Sequence, residues 1–241
     1  MRTILLPISI GLLCISFTIL PTPPAISPAA VTAVSINNEK VPTTEASLIY
    51  DQTGLEQFGL SKAAFDFAWA GYQYLLEHNQ LKKQHILSIC DFSQSSKKKR
   101  LYIIDLDKKE LLINTWVAHG KNSGDEYARQ FSNTPESLQS SLGFYVTSGT
   151  YIGKHGLSLR LNGADPGFND QAYFRTIVIH GASYVDEARL KSGMYMGRSW
   201  GCPAVSEKES ARIIQTIKNG TCLFIYHPSR NYLEKSKILN G

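Results

Sequence analysis

The chain has 241 residues, with 43% hydrophobic and 10% aromatic, enough apolar material for a full core. Charged residues are only 19%, below the roughly 25% of an average globular chain, which argues against a disordered protein. The net charge of +5 is too weak and too scattered for a nucleic-acid binder, and four cysteines are too few for a disulfide-built miniprotein.

Arg2 is the only charge before Glu39, and Ile4 to Leu20 is almost wholly apolar. A stretch rich in Pro and small residues follows, from Pro21 to Ala30. A basic start, an apolar run and small residues read as a secretory signal peptide over 1–29, cut near Ala25 to Ala30. The competing reading is an uncleaved anchor, since the apolar run is marginally long enough to span. Cys14 suggests a lipoprotein, but Leu13 stands where that processing wants a small residue. Signal removal leaves Cys90, Cys202 and Cys222. An odd count in an oxidising compartment leaves one thiol over, either buried or working.

Residues 30–55 are polar, with Pro42, Thr43 and Thr44 in a row, and read as a linker. Ser61 is a plausible N-cap for a helix carrying Ala64, Phe67, Ala68, Gly71, Tyr74, Leu75 and His78 on one face. The segment 56–84 is therefore expected to pack on the folded unit. From residue 86 the pattern turns to strands: Ile86–Phe92, Leu101–Leu106 and Glu110–Ala118, the last with Leu112, Asn114, Trp116 and Ala118 on one face. Short connections predict an antiparallel meander, with Lys97–Arg100 as a solvated basic turn. Further strands are expected at Leu142–Ser148, Leu157–Leu161, Thr176–His180 and Thr221–Tyr226. Ser206-Glu207-Lys208-Glu209 is a capping box opening a helix through Ala211, Ile214 and Ile217, ended by Asn219-Gly220. The expected fold is mainly β with a few helices (α+β), with its domain over 85–228 and a tail over 229–241.

The chemistry concentrates in Ile177 to Val205. A strand ends in Ile179-His180-Gly181, and Cys202 lies in Arg198-Ser199-Trp200-Gly201-Cys202-Pro203-Ala204-Val205. A cysteine nucleophile needs a base, because a free thiol titrates near 8.5, and amide donors for a developing oxyanion. Gly201 suits a tight turn whose N–H groups converge. A buried structural cysteine is the alternative. His119-Gly120, His155-Gly156 and His180-Gly181 are three His-Gly pairs near strand ends. Three histidines in one cleft are also a zinc reading, that of a zinc-dependent amidase or peptidase, but no H-x-x-x-H or H-x-x-E spacing accompanies them.

These stretches resemble the murein L,D-transpeptidase catalytic domain family, of the YkuD type. The resemblance rests on Val117–Gly124, Phe131–Asn133, Ser140–Thr147, Tyr151–Leu161 and Gly197–Val205, and covers roughly residues 55–228. It implies a mixed β-sandwich with an N-terminal helix. It also implies Cys202 as nucleophile, His180 as base, the Gly181 carbonyl orienting the imidazole, and the amides of Trp200, Gly201 and Cys202 as oxyanion hole. His119, His155, Ser199 and Arg198 are then expected to bind substrate, with Arg175, Lys154 and Arg160 as further partners for its carboxylate. The implied reaction is acyl transfer on peptidoglycan stem peptides, through a thioester that releases terminal D-alanine, without metal or cofactor. An L,D-carboxypeptidase using the same thiol, or a wall-binding module without catalysis, are the alternatives. Peptidoglycan is the expected partner, with no nucleic acid and no stable membrane insertion after signal removal, in the periplasm or cell wall. Two departures stand out: Trp200 replaces the motif's second histidine, and Ala204 replaces an Arg or Asn common two residues after the cysteine. Cys90 and Cys222, in two strands of one exported sheet, either pair or remain buried thiols.

Overall fold

The computed structural model describes residues 44–241. The expected signal peptide, Cys14 and the first part of the expected linker lie outside the described residues. The rest of that linker is a helix, α1 (Glu45–Gln52), with the Thr44 side chain accepting the Ser47 amide at 3.2 Å. Ala46, Ile49 and Tyr50 are buried, so this segment joins the core instead of linking. Only three buried residues, Ala46, Ile49 and Tyr50, mark the helix among polar neighbours.

Helix α2 (Lys62–Glu77) starts at Ser61, whose Oγ accepts the Ala64 amide. Its buried face is Ala64, Phe65, Ala68, Gly71, Tyr72 and Leu75. Phe65 and Tyr72 thus replace Phe67 and Tyr74 of the expected stripe, and these two are half-buried. Gly71 is required: a Cβ there would lie 2.0 Å from the ring of Phe144. Phe144 itself stacks on Phe224 at 4.1 Å, so the helix lies directly on the sheet.

The strands are β1 (Ile86–Asp91), β2 (Leu101–Asp105), β3 (Glu110–Thr115), β4 (Gly143–Gly153), β5 (Gly156–Gly163), β6 (Val178–Ala182), β7 (Ala204–Ser206) and β8 (Cys222–Tyr226). They form one mixed sheet in the order β3-β2-β1-β8-β4-β5-β6-β7. The expected meander is present, since β1–β2 and β2–β3 pair antiparallel. β1–β8 and β6–β7 are parallel. Every residue of β1, β2 and β8 is buried, as expected for strands covered on both faces. In β3 Ile113 and Thr115 are buried while Leu112 and Asn114 are half-buried, so the even-numbered residues share the less buried face.

Helix α3 (Glu187–Lys191) is one turn, capped by Asp186. Helix α4 (Glu207–Ile217) is capped by Ser206 and buries Ile213, Ile214 and Ile217, while Ala211 faces out. Glu209 does not return to its own cap; it accepts from the Thr115 hydroxyl. Asn219 and Gly220 end the helix with φ of 68° and 96°, as their identities predict. The expected tail is folded as α5 (Arg230–Lys235) and α6 (Lys237–Asn240). Tyr232 and Ser236 are both buried and donate to the carboxylate of Asp165, at 2.9 and 2.6 Å. Among the described residues, no helix is long and apolar enough to cross a membrane.

Two cysteine readings are decided by register. Cys222 lies opposite Leu87, and Cys90 opposite Ile225. An offset of three residues puts the two thiols on opposite faces, roughly 10 Å apart along the strands, beyond the reach of a disulfide of about 7 Å. Cys90, Cys202 and Cys222 are free.

Candidate active site

β6 and β7 bring the two expected reactive residues together. His180 lies in β6 and pairs in register with Ala204 of β7, two residues beyond Cys202. A cavity of about 410 Å³ is lined by His180, Cys202, His155, Thr176, Trp200 and Ser199, together with the cations Arg175, Arg198 and Lys154. Two other hollows of about 520 Å³ are larger, but neither is lined by a histidine or a cysteine.

The ring of His180 is held at Nδ1, 2.9 Å from the Gly181 carbonyl. A carbonyl only accepts, so Nδ1 carries the proton and Nε2 keeps its lone pair. Burial is the main force lowering the His180 pKa; the Gly181 bond opposes it, and the charge of His155 adds to it. Burial also raises the Cys202 thiol, offset by backbone amides and by the Arg175 charge. Both shifts favour the neutral form of each group near pH 7. The thiol donates toward the Thr176 carbonyl at 3.7 Å.

The turn before Cys202 is built by backbone constraint. Gly201 has φ of 125°, and a Cβ there would meet the Gln139 carbonyl at 2.8 Å, so only glycine fits. Ser140 Oγ donates to the Gly201 carbonyl at 3.0 Å, and the Gly201 amide donates to Ser199 Oγ at 3.1 Å. One of the three amides expected to form an oxyanion hole is therefore occupied within the turn.

His119 is elsewhere. It is 1% exposed and does not line the cavity. Its Nδ1 accepts from Arg100 at 2.7 Å, and its Nε2 faces the Gly124 carbonyl at 3.3 Å. It has no surface through which to bind substrate, and its contribution is main-chain: the His119 carbonyl accepts the Ser199 amide at 3.0 Å. The three histidines do not converge, so the zinc reading loses its ligand set; among the described residues no group of three His, Cys, Asp or Glu is placed to hold a metal. Arg100 is equally misplaced by the solvated-turn reading. It is fully buried, lies over the Phe92 ring, and donates to the carbonyls of Val117 and Gln94. A charged residue ending a basic run carries no sequence signal that distinguishes it from its exposed neighbours.

His155 and Ser199 do line the cavity, as does Arg198, whose guanidinium also pairs with Asp125 at 2.6 Å. Arg175 spends its guanidinium on the 132–141 segment, donating to the carbonyls of Ser132 and Gln139 at 2.5 and 2.6 Å. Arg160 lies over the ring of Tyr151 instead of in the cavity. Ala204 is fully buried in β7, and Trp200 is 76% exposed at the cavity. Tyr184 was missed. It lines the cavity and packs on Gly197, where a Cβ would lie 2.5 Å from its own. A lone tyrosine in a loop gives no signal in the sequence.

Residues 56–226 match the family described as the L,D-transpeptidase catalytic domain. The chain belongs to this family. The match contains every cavity residue named above. Among solved structures, an L,D-transpeptidase from Mycobacterium smegmatis aligns at 12% identity over 59% of each chain, with a TM-score of 0.37. The helical cell shape determining protein Pgp2 from Campylobacter jejuni aligns at 14% over 67% of this chain and 57% of its own, with a TM-score of 0.40. An L,D-transpeptidase from Stackebrandtia nassauensis aligns at 12% over 75% of each, with a TM-score of 0.35. This L,D-transpeptidase-family chain thus spans less than two thirds of the length of the first two. No curated protein matches the sequence.

Proposed function

We propose that the protein is an exported L,D-transpeptidase that uses Cys202 to transfer acyl groups between peptidoglycan stem peptides. The observation that carries this reading is the shared cavity of the Cys202 thiol and an imidazole whose tautomer is fixed by Gly181. His180 Nε2 takes the thiol proton as sulfur adds to the carbonyl of the stem's third residue. The amides of Trp200 and Cys202 face the developing oxyanion, with Gly201 holding the turn. Collapse breaks the peptide bond. The leaving D-alanine amine takes the proton from His180, and a thioester remains on Cys202. An acceptor amine then attacks the thioester, passes its proton to His180 and restores the thiol as the new amide forms. Water in place of the amine gives the carboxypeptidase outcome. Arg198 and Lys154, which line the same cavity, are read as the contacts for the substrate's polar groups. The N-terminal pattern supports export to the periplasm or cell wall.

Incubation with defined muropeptides, followed by product mass, tests this. Cross-linked dimers with loss of D-alanine are expected, unchanged by excess chelator. Turnover lost to chelator and restored by zinc, or no acylation of Cys202, overturns the proposal. Hydrolysed monomer alone replaces transpeptidation with carboxypeptidation.

A further inference from the structure

His155 stands at the two-residue turn between β4 and β5, where Gly153 pairs with Gly156. Its ring lies on that of His180, with centroids 4.4 Å apart and planes at 26°. One face of the base is therefore covered by a second imidazole from another element. The hairpin is also braced nearby, since Arg160 of β5 lies 4.5 Å over the Tyr151 ring of β4. His180 is held in its plane at Nδ1 by Gly181, but that single bond leaves the ring free to swing about it. Stacking removes this freedom.

We propose that His155 is a positioning residue for His180: its ring fixes the tilt of the base and limits water on its outer face. This assignment rests on the reading of His180 as base. It differs from the substrate contact expected of His155, because the effect passes through His180.

The charged and titratable groups around His180 are few. The hairpin brings Lys154, Tyr151 and His155; the loops bring Arg175, Tyr184, Arg198 and Cys202. Arg160 lies on the adjacent strand, and Glu207 of α4 approaches Gly181. Of these, His155 is the one stacked on the ring, and its charge opposes a charge on His180. Removing it therefore makes His180 easier to protonate, by lost repulsion and by admitted water.

The test compares wild type with H155A and H155F in the full chain. Imidazole NMR titration of His180 needs no substrate, so it stands even if the muropeptide assay finds no turnover. In H155A the His180 titration moves to higher pH. In H155F it moves less, because the ring still covers the base. With muropeptide, kcat of H155A falls roughly tenfold with KM held, and the acid limb of kcat/KM moves up in pH. H155F recovers kcat to within about twofold of wild type. An unmoved His180 titration in H155A overturns the proposal. So does a raised KM with unchanged kcat, which makes His155 a substrate contact.

Discussion

Ser199 Oγ donates to the carbonyl of Cys202 at 2.6 Å and thereby closes the turn that presents the thiol. The same oxygen accepts the Gly201 amide, and the Ser199 main chain is tied to His119 and Lys121. Ser199→Ala leaves the part-buried Cys202 carbonyl and the buried Gly201 amide without this partner, a cost of about 1–3 kcal/mol for a group that stays dry. We expect a lowered urea midpoint and a kcat reduced roughly tenfold, with KM little changed. Unchanged kcat would show that the backbone alone holds the turn.

Cys202→Ser is expected to abolish turnover and leave the circular dichroism spectrum intact. A serine hydroxyl is far harder to deprotonate beside this imidazole than a thiol. His180→Ala should slow acylation by roughly 10²–10⁴. If His180→Ala changed affinity alone, His180 would be a binding residue and not the base.

The meander, the central strands and the Cys202–His180 pair were legible because each has a local signature: alternation, β-branched runs, a glycine before the cysteine. What was hidden depends on contacts distant in sequence. His119-Gly120 looks like His180-Gly181 in one dimension, yet Arg100, nineteen residues earlier, claims its ring. Strand β7 is three residues long and exists because β6 offers a parallel edge. Helix α1 and the C-terminal helices are short and polar, and gain their order from burial against α2 and Asp165. The lost Cys90–Cys222 bridge was a matter of register, which neighbouring residues do not reveal.

The Arg100–His119 pair predicts a pH dependence of stability. Burial first, then the Arg100 charge, lowers the His119 pKa from 6.5 to about 4. The folded imidazole stays neutral while the unfolded one takes a proton below about 6.5. The unfolded state therefore binds more protons between pH 6.5 and 4, and stability falls as pH falls through that window. The loss from this group is about 3 kcal/mol at most. His180 and His227 are displaced in the same direction and add to it. Urea midpoints at pH 7 and 4.5 measure the drop. It should shrink in His119→Gln, whose amide oxygen still accepts from Arg100; an equal drop would remove His119 as its source.

Thiol accessibility separates the three cysteines. Cys90 and Cys222 are fully buried, and burial pushes the Cys90 thiol up to about 12 and the Cys222 thiol higher still. Peptide mapping after brief iodoacetamide treatment of the native protein should find label on Cys202 and none on the other two. After denaturation without reductant, all three should be labelled. Label confined to Cys202 in the denatured protein would revive the disulfide that the β1–β8 register excludes.

The C-terminal helices give the last prediction. Asp165 is buried, which raises its pKa, and its carboxylate is kept ionisable by three donors: the Phe144 amide, the Tyr232 hydroxyl and the Ser236 hydroxyl. The Tyr232 ring also packs on Phe168 and Phe224, at 5.0 and 6.2 Å. Deleting residues 229–241 removes two of those donors and uncovers both rings. The unpaired carboxylate costs about 1–3 kcal/mol for each lost donor, and the lost aromatic burial about 2 kcal/mol more. For a domain of this size, a few kcal/mol lowers Tm by roughly 10 °C. Tyr232→Phe isolates one hydroxyl and should cost about 1–2 kcal/mol, well short of the deletion. Calorimetry of the two variants checks the ordering. A deletion no worse than Tyr232→Phe would mean that α5 and α6 are carried by the domain without supporting it, and that Asp165 finds water when they leave.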